Sequence, residues 1–446
     1  MKRTPYAVTW ALAASLCLQF GSSAAWAAES EAGSRVDAMG AVDGVASVVR
    51  RGEYLARAGD CIACHTSKGG KPFAGGLPFE TPIGTIYSTN ITPDKDTGIG
   101  DYSYEDFDRA VRYGIARKGY TLYPVMPYPS YARVSPDDIK ALYAYFMHGV
   151  APVHRPTPES GVPWPLSMRW PLALWRRAFE PAVAAPTVAG DAAGSNNATV
   201  LARGRYLVEG LGHCGACHTS RGVFLQERAL SDDKGPAFLG GGLVEQWFAN
   251  DLRSDRLQGL GGWTRAEIVA FLKTGRNEHS AAFGGMQEVI VDSTQYLSDG
   301  DLDAVVAYLQ SLSPVKPGVA PPTYDDAAAK ALHAGRADVP GAQSFLDNCA
   351  ACHRSDGRGY AGVFPRLALS ATVSEPDPTS LIHIVLRGSA MPGTAGAPTS
   401  FAMPGFAERL TDQQVADVLC FIRSSWGNRA RSVSGGQVRA IRNATR

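Results

Sequence analysis

The motif Cys-x-x-Cys-His occurs three times in this chain of 446 residues, as Cys61 to His65, Cys214 to His218 and Cys349 to His353. Two cysteines one helical turn apart can form thioethers to the vinyl groups of a haem, and the adjacent histidine can bind the iron. A single copy could be chance or half of a zinc site, but three copies that each open a similar stretch are typical of c-type haem attachment. We therefore predict three covalent haem c groups, bound through Cys61, Cys64, Cys214, Cys217, Cys349 and Cys352, with His65, His218 and His353 as iron ligands.

Similar sequence recurs around the three motifs, which indicates repetition of a whole domain. A short helical approach precedes each motif, as in Gly52 to Leu55 and Gly204 to Leu207. Each copy ends in an amphipathic helix that begins at a capping residue, namely Ser135, Ser298 or Thr411. A first and a last helix that cross beside a haem form a small all-α cytochrome c domain. The predicted fold is therefore all-α, with three tandem cytochrome c domains joined by Pro-rich linkers.

Composition gives the predicted domain boundaries. Lys2 and Arg3, an apolar run and the cleavage pattern Ala25-Trp26-Ala27 predict an export signal. Leu16 before Cys17 disfavours lipid attachment at that cysteine. The predicted parts are the signal over 1–27, domains over 46–152, 196–314 and 336–428, linkers over 153–195 and 315–335, and a basic, frayed tail over 429–446.

The remaining composition excludes several classes of protein. Of eight cysteines, one lies in the signal and six belong to the motifs, so only Cys420 remains and no disulfide framework is available. Cys420 aligns with Ala144 and Ala307, which predicts a small core residue. The formal net charge of +1 gives no sign of a nucleic-acid surface. Outside the signal, no apolar run reaches the roughly 18 residues of a membrane span.

A second axial ligand is expected on each iron, and methionine is the usual partner of histidine in c-type electron-transfer sites. One methionine lies shortly before each last helix, which predicts Met126, Met286 and Met403 as these ligands. Met391 competes with Met403 but lies farther from the last helix. His279 competes with Met286, because the second copy lacks the Met-Pro dipeptide of the other two.

Some local sequences also resemble a known family. The run from Thr81 to Asp94, followed by Thr97 to Gly100, closely resembles the first domain of the tri-haem cytochrome c subunits of bacterial membrane-bound dehydrogenases. Leu272 to Asn277 and Phe421 to Asn428 are similar to stretches of the same subunits. Those subunits accompany quinoprotein alcohol dehydrogenases and flavin-dependent gluconate, sorbitol or fructose dehydrogenases. The resemblance covers nearly the whole mature chain.

The resemblance implies an electron-transfer subunit without a substrate site of its own. Its partners would be a large catalytic subunit with a flavin or quinone cofactor, and ubiquinone. A small third subunit is an optional further partner. It would lie on the periplasmic face of the bacterial inner membrane as a peripheral protein. Two alternatives stay open: a respiratory-chain or oxidase-linked multi-haem carrier, and a haem peroxidase. A methionine for every haem disfavours the peroxidase, which needs an iron with an accessible face.

A peripheral membrane protein needs a surface that contacts lipid. The best candidate is the stretch 164–179, which contains Trp164, Trp170 and Trp175. After Pro171 it could form a short helix with apolar side chains on one side and Arg176-Arg177 towards the other. Tryptophan and arginine around an apolar face suit a membrane interface. Packing of the same helix between haem domains, or against the large subunit, is the alternative.

Overall fold

The computed structural model describes residues 44–183 and 197–445. The chain forms two compact units, Met1–Val48 and Val49–Arg446. In the smaller unit the described residues, 44–48, are helical. The predicted export signal over 1–27 lies outside the described residues, as do residues 184–196 at the end of the first predicted linker. The larger unit contains all three Cys-x-x-Cys-His motifs.

Three segments of the larger unit carry one motif each, over residues 49–149, 197–313 and 324–445, and are called the first, second and third segments. The first contains α1 (49–58), α2 (Cys61–Cys64), β1 (Pro78–Thr81), β2 (Gly84–Tyr87), α3 (Tyr104–Tyr113), α4 (Tyr128–Tyr131) and α5 (Pro136–His148). The linker contains α6 (Trp170–Phe179). The second contains α7 (Asn197–Tyr206), α8 (Gly215–His218), β3 (Gly242–Val244), β4 (Trp247–Ala249), α9 (Arg265–Thr274), α10 (Met286–Asp292) and α11 (Asp299–Ser311).

The third segment contains α12 (Ala327–His333), α13 (Ala342–Asn348), α14 (Ala350–His353), α15 (Ala371–Ser374), α16 (Thr379–Arg387), β5 (Ser389–Met391), β6 (Phe401–Met403), α17 (Asp412–Ser424) and α18 (Gly435–Ala444). Helices dominate, but all-α is too narrow a description, because each segment also has one antiparallel hairpin. In the first two segments the hairpin follows the haem motif, whereas in the third it follows α16.

The helix before each motif crosses the helix that begins at the predicted capping residue, as the sequence predicts, and the structure shows a glycine at each crossing. A Cβ atom on Gly52, Gly204 or Gly341 would lie 2.0 to 2.1 Å from a carbonyl oxygen of the crossing helix. Only glycine permits such a close approach of two backbones. The predicted caps are also confirmed, since Ser135, Ser298 and Thr411 each accept a hydrogen bond from the backbone N–H three residues later.

The apolar cores show which segments are joined. The third segment has a core of its own, around Phe345 and Trp426. The core of the first segment also contains Leu211, Leu297 and Leu302, which belong to the second segment. The first two segments are therefore fused through a shared apolar core.

The basic tail is ordered, and the prediction that it is frayed is wrong. Helix α18 packs against α17, and Val438 on its inner face is fully buried. Arg442 pairs with Asp412 at 2.7 Å and donates to the carbonyl of Leu410 at 2.9 Å. Cys420 lies at the edge of the core, where its Sγ is 3.3 Å from the carbonyl oxygen of Val433. The apolar residues Val438 and Ile441 of α18 are each followed by an arginine, so the polar composition of the tail does not reveal its amphipathic helix.

Candidate functional site

The two cysteines of each motif lie within a single helical turn, formed by α2, α8 and α14 together with their flanking residues. Side chains three residues apart on a helix project from the same face. All seven described cysteines are free. The six motif thiols are therefore available and correctly spaced for thioether bonds to one haem per motif.

Each motif histidine is oriented by a backbone carbonyl oxygen. The Nδ1 atom of His65 lies 2.7 Å from Thr89 O, that of His218 2.7 Å from Asn250 O, and that of His353 2.9 Å from Pro365 O. A carbonyl can only accept, so Nδ1 carries the hydrogen and the lone pair is left on Nε2. Burial lowers the pKa of all three imidazoles, which favours the neutral ring that an iron ligand must be. The residues present thus fit a haem iron bound through Nε2.

The loops that supply two of these carbonyls are held by equivalent side chains. Asn90 accepts from the backbone N–H of Thr92 at 2.9 Å, and Asp251 accepts from that of Arg253 at 2.6 Å. Asn90 also donates to the carbonyl of Val153 at 2.7 Å, which ties the loop to the start of the linker. This support is not predictable from the sequence alone, although Asn90 lies within the run that carries the family resemblance.

Met126 and Met286 occupy equivalent positions in the first two segments. Gly114 and Gly275 end α3 and α9 in the left-handed conformation, and each accepts a backbone hydrogen bond from a residue four positions before the methionine. The missing Met-Pro dipeptide therefore does not displace Met286. Met403 lies on β6 and packs against the core of the third segment. All three remain predicted iron ligands.

Both competing candidates have packing roles. A Cβ on Gly275 would lie 1.9 Å from Met391 Cε, whereas the ring of Tyr128 takes the equivalent place beside Gly114. Met391 of the third segment therefore fills a gap in the second. His279 stacks on Trp263 with ring centroids 4.9 Å apart, and its Nε2 lies 2.9 Å from a carboxylate oxygen of Glu267.

The three motifs lie in one connected assembly. Burial is the main cause that raises the pKa of the Cys64 thiol. The thiol of Cys217 in the second motif is close enough to raise that pKa further. The second and third segments are joined where Phe248 N–H donates to Ser380 Oγ at 2.7 Å. Nearby, Asn250 donates through its side chain to Thr372 at 3.0 Å. The residue whose carbonyl orients His218 is therefore tied to the third segment.

Comparisons with known proteins agree with this site. The family described as Cytochrome c matches residues 49–149 and 339–426, which contain the first and third motifs. The gluconate 2-dehydrogenase cytochrome c subunit of Pantoea cypripedii is 57% identical over 402 residues, covering 89% of this chain and 90% of that subunit. The chain belongs to the family of dehydrogenase cytochrome c subunits.

Other members of this family are similar over most of their length. The cytochrome c subunit of the alcohol dehydrogenase (quinone) of Gluconacetobacter polyoxogenes is 51% identical over 87% of this chain and 82% of that subunit. The fructose dehydrogenase cytochrome subunit of Gluconobacter japonicus is 37% identical over 88% of this chain and 82% of that subunit. The predicted family resemblance is thereby confirmed, and membership of this cytochrome c family supports covalently bound haem c and an electron-transfer role.

Proposed function

We propose that this chain relays electrons one at a time from the catalytic subunit of a dehydrogenase, through three c-type haems, to ubiquinone. The observation that carries the proposal is the histidine geometry, repeated three times with Nε2 left for an iron. Bound haem supplies a one-electron redox centre. The names of the relatives, which are subunits of gluconate, alcohol and fructose dehydrogenases, support a flavin- or quinone-dependent partner that oxidises an alcohol, sugar or sugar acid.

In this proposal the chain has no substrate site and its residues have three tasks. The six motif cysteines would hold the haems covalently, and the motif histidines would each bind an iron. Met126, Met286 and Met403 would supply the second protein ligand of each iron, so that no iron would be open to peroxide. Packing of the segments keeps successive centres close. We propose three tandem cytochrome c domains over 46–152, 196–314 and 336–428, with the third extended at both ends, because α12 of the predicted linker and α18 of the predicted tail pack into its core.

We further propose that the chain contacts the periplasmic face of the inner membrane through an apolar patch. The patch consists of exposed side chains from the linker around α6 and from a loop of the second segment, namely Trp164, Leu166, Trp170, Leu174, Val223, Phe224 and Leu225. The indole N–H of Trp175 donates to Phe224 O at 2.8 Å, which holds helix and loop together. None of the described helices is long and apolar enough to cross a bilayer.

The two sides of α6 explain why its sequence fits both packing and lipid contact. Leu172 on the inner side packs against a small cluster that includes Tyr123 of the first segment and Val162 of the linker. Trp170, which is 65% exposed, and Leu174, which is 60% exposed, lie on the outer side. Arg177 is exposed as well. Apolar and aromatic side chains with one cation suit the headgroup region of an anionic bilayer.

Purification of the tagged chain from washed membranes tests the electron relay. We expect a large dehydrogenase subunit to accompany it, three haems per chain, and reduction of all three by the substrate of that subunit. Co-purification with an oxidase alone, and no dehydrogenase, would favour the carrier alternative. A high-spin haem in the resting visible spectrum, with peroxide turnover, would favour the peroxidase.

Binding of the isolated haem-loaded chain to anionic vesicles tests the apolar patch without help from the partner. The triple variant Trp170→Ser, Leu174→Ser and Phe224→Ser removes three exposed side chains from the patch, and we expect vesicle binding to fall by at least tenfold. Val339→Ser is the matched control, because Val339 is 59% exposed but belongs to the third segment. Equal binding of the triple variant and the unmodified chain would exclude the patch as the lipid contact.

A further inference from the structure

Two tyrosines cross between the first and second segments in opposite directions. The hydroxyl of Tyr54 on α1 donates to Asp301 Oδ2 on α11 at 2.6 Å. The hydroxyl of Tyr206 on α7 donates to Asp138 Oδ2 on α5 at 2.5 Å. Each tyrosine lies two residues after the glycine of its helix crossing, and each aspartate three residues after its capping serine. The two contacts are therefore equivalent in the repeat, and the two segments pack reciprocally.

Each tyrosine also contacts the start of the other segment's last helix. The backbone N–H of Ser298 donates to the hydroxyl of Tyr54 at 3.2 Å, and that of Ser135 donates to the hydroxyl of Tyr206 at 3.3 Å. In an ordinary capping box the side chain at the third position accepts this hydrogen bond. Here Asp138 and Asp301 are engaged elsewhere, so a tyrosine from the neighbouring segment satisfies the serine N–H.

The aspartates are held from their own segments by arginines. Arg203 binds Asp301 through two hydrogen bonds of 2.7 Å, and Arg51 binds Asp138 at 2.7 and 3.0 Å. Both aspartates are buried. A hydrogen bond to a buried, charged carboxylate is stronger than one between neutral groups. Each tyrosine thus attaches to a fixed acceptor, and the two arginine–aspartate–tyrosine groups form a reciprocal clamp.

The third segment shows that this clamp is not needed for helix capping. Gln414 closes the capping box of α17 by accepting from the backbone N–H of Thr411 at 2.9 Å. Gln343 stands at the position of Tyr54 and Tyr206, and it is exposed. The clamp therefore belongs to the contact between the first two segments alone.

The clamp lies on the helices that lead into the first two haem motifs. Helix α1 is followed almost directly by the first motif. Helix α7 continues into a π-helical turn, Leu207–Leu211, which leads to the second motif. Between the motifs, a Cβ on Gly59 would lie 3.3 Å from a methyl of Leu211, and His213 Nε2 lies 3.3 Å from Gly59 O. A change in how the two segments pack would therefore change the separation of the two motifs.

We propose that Tyr54 and Tyr206 are positioning residues for electron transfer between the first two haems. The inference rests on the proposed electron relay and adds which residues set the geometry of one of its steps. Transfer of one electron weakens steeply as two centres separate, so a clamp that fixes the separation also fixes the rate. Neither tyrosine needs to contact haem for this role.

The test compares Tyr54→Phe, Tyr206→Phe and the double variant in the full haem-loaded chain. Tyr143→Phe is the matched control, because the Tyr143 hydroxyl donates at 2.9 Å to Tyr102 O within the first segment. Each variant removes one hydroxyl and keeps the ring. Pulsed electron paramagnetic resonance gives the distribution of distances between the irons, and flash reduction gives the rate of transfer between haems.

We expect unchanged haem content and low-spin spectra in every variant. Each lost bond to a charged carboxylate shifts the packing equilibrium by about tenfold. The shortest iron–iron distance should therefore broaden in each single variant, and transfer between the first two haems should slow at least about tenfold in the double variant. Tyr143→Phe should leave both measurements unchanged.

Single variants with a native distance distribution and native rate would overturn the proposal. They retain one of the two tyrosine contacts, so they remain informative even if the double variant does not fold. Failure of the electron relay itself has a different signature: fewer than three haems per unmodified chain, or no reduction by any dehydrogenase.

Discussion

Single residues far from the motifs in sequence determine how the motif histidines are oriented. Asn250 does this twice, because its carbonyl oxygen accepts from His218 and its side chain donates to Thr372 of the third segment. Orientation by a second residue fixes both the tautomer of a metal-binding histidine and the direction of its lone pair. Contacts between segments are thereby linked to the geometry of the second haem site.

Met286 and Met391 offer a matched pair of substitutions at the second haem site. Met286→Leu removes the predicted iron ligand, and we expect one of three low-spin haem signals to be lost, with a lower reduction potential at that haem. Met391→Leu keeps an apolar side chain of similar volume beside Gly275, so the spectrum should not change. Electron paramagnetic resonance and a redox titration distinguish the two outcomes. If Met391→Leu changed the spectrum and Met286→Leu did not, Met391 would replace Met286 as the ligand.

The cysteines, histidines and family of this site are predictable from sequence, because covalent attachment requires fixed residues at fixed spacing. The carbonyls of Thr89, Asn250 and Pro365 are not, since any residue type supplies a carbonyl oxygen. The tyrosine contacts are equally hidden. Ser135 and Asp138 fit a local capping box in the sequence, and only tertiary packing directs that carboxylate to Tyr206.

Glu375 is a buried acid between the second and third segments that makes stability depend on pH. Burial, with Asp251 and Asp377 nearby, raises its pKa to about 7, while Lys316 and Arg423 oppose the rise. The folded state therefore holds a proton that the unfolded state loses at lower pH. The contribution of this group to the free energy of unfolding should fall by about 3 kcal/mol as pH rises from 4.5 to about 7, and then stay constant.

Glu375→Gln should remove this pH dependence, because an amide does not titrate. Chemical unfolding of the haem-loaded chain at several pH values from about 5 to about 8 measures how its stability depends on pH. Glu408→Gln, at an exposed position of the same segment, is the control. The same slope of stability against pH in Glu375→Gln and the unmodified chain would contradict the assignment.

At the scale of elements, the helices that begin at the three predicted capping residues follow the sequence prediction, and the short strands and the tail helix do not. Ser, Thr and glycine at helix ends and crossings leave a local signal, which is why α5, α11 and α17 begin at the expected residues. Strands of three or four residues, such as β3 and β4, are too short to show a periodic pattern. The tail helix α18 depends on tertiary contacts with Asp412 and the α17 region.

Helix α18 should contribute measurably to the stability of the third segment. Val438→Ala removes two methyl groups from a fully buried side chain, and we expect a loss of about 2 kcal/mol in the free energy of unfolding. Asn443→Ala on the exposed side of the same helix should cost almost nothing. Thermal unfolding followed by helical circular dichroism gives both values. Equal melting temperatures for Val438→Ala and the unmodified chain would mean that α18 packs only weakly against the third segment.

At the scale of the whole molecule, the first two segments behave as one body with two haem motifs. Their shared core includes Leu302, which lies on α11 of the second segment and packs into the first. Asp138 and Asp301, at the starts of the two last helices, are each held by both segments. The third segment has a core of its own and is attached to the second through hydrogen bonds such as that between Phe248 and Ser380, and through Met391, which packs among apolar side chains of the second segment.

We therefore expect the first two segments to unfold together. Leu302→Ala should lower their common stability by about 3 kcal/mol, because the cavity opens in a core that both segments share. Ile382→Ala, at a fully buried position of the third segment, should act mainly on that segment. Differential scanning calorimetry of both variants, with haem absorbance as a second probe, separates these effects. Two separate transitions for the first two segments in Leu302→Ala would contradict a shared core.

Gly59 and Leu211 stand at equivalent positions of the first two segments, each seven residues after the glycine of its helix crossing, and they face each other. Their contact shows what becomes possible when two repeats are joined in one chain. In a dimer of identical subunits, paired positions on the symmetry axis must carry the same residue, so two leucines would collide and two glycines would leave a hole. Within one polypeptide the two equivalent positions mutate independently, so a leucine can pack against a glycine. The same freedom allows the surroundings of the first two motifs to differ, so that haems bound there would not need equal reduction potentials, and electron transfer between them would be favoured in one direction.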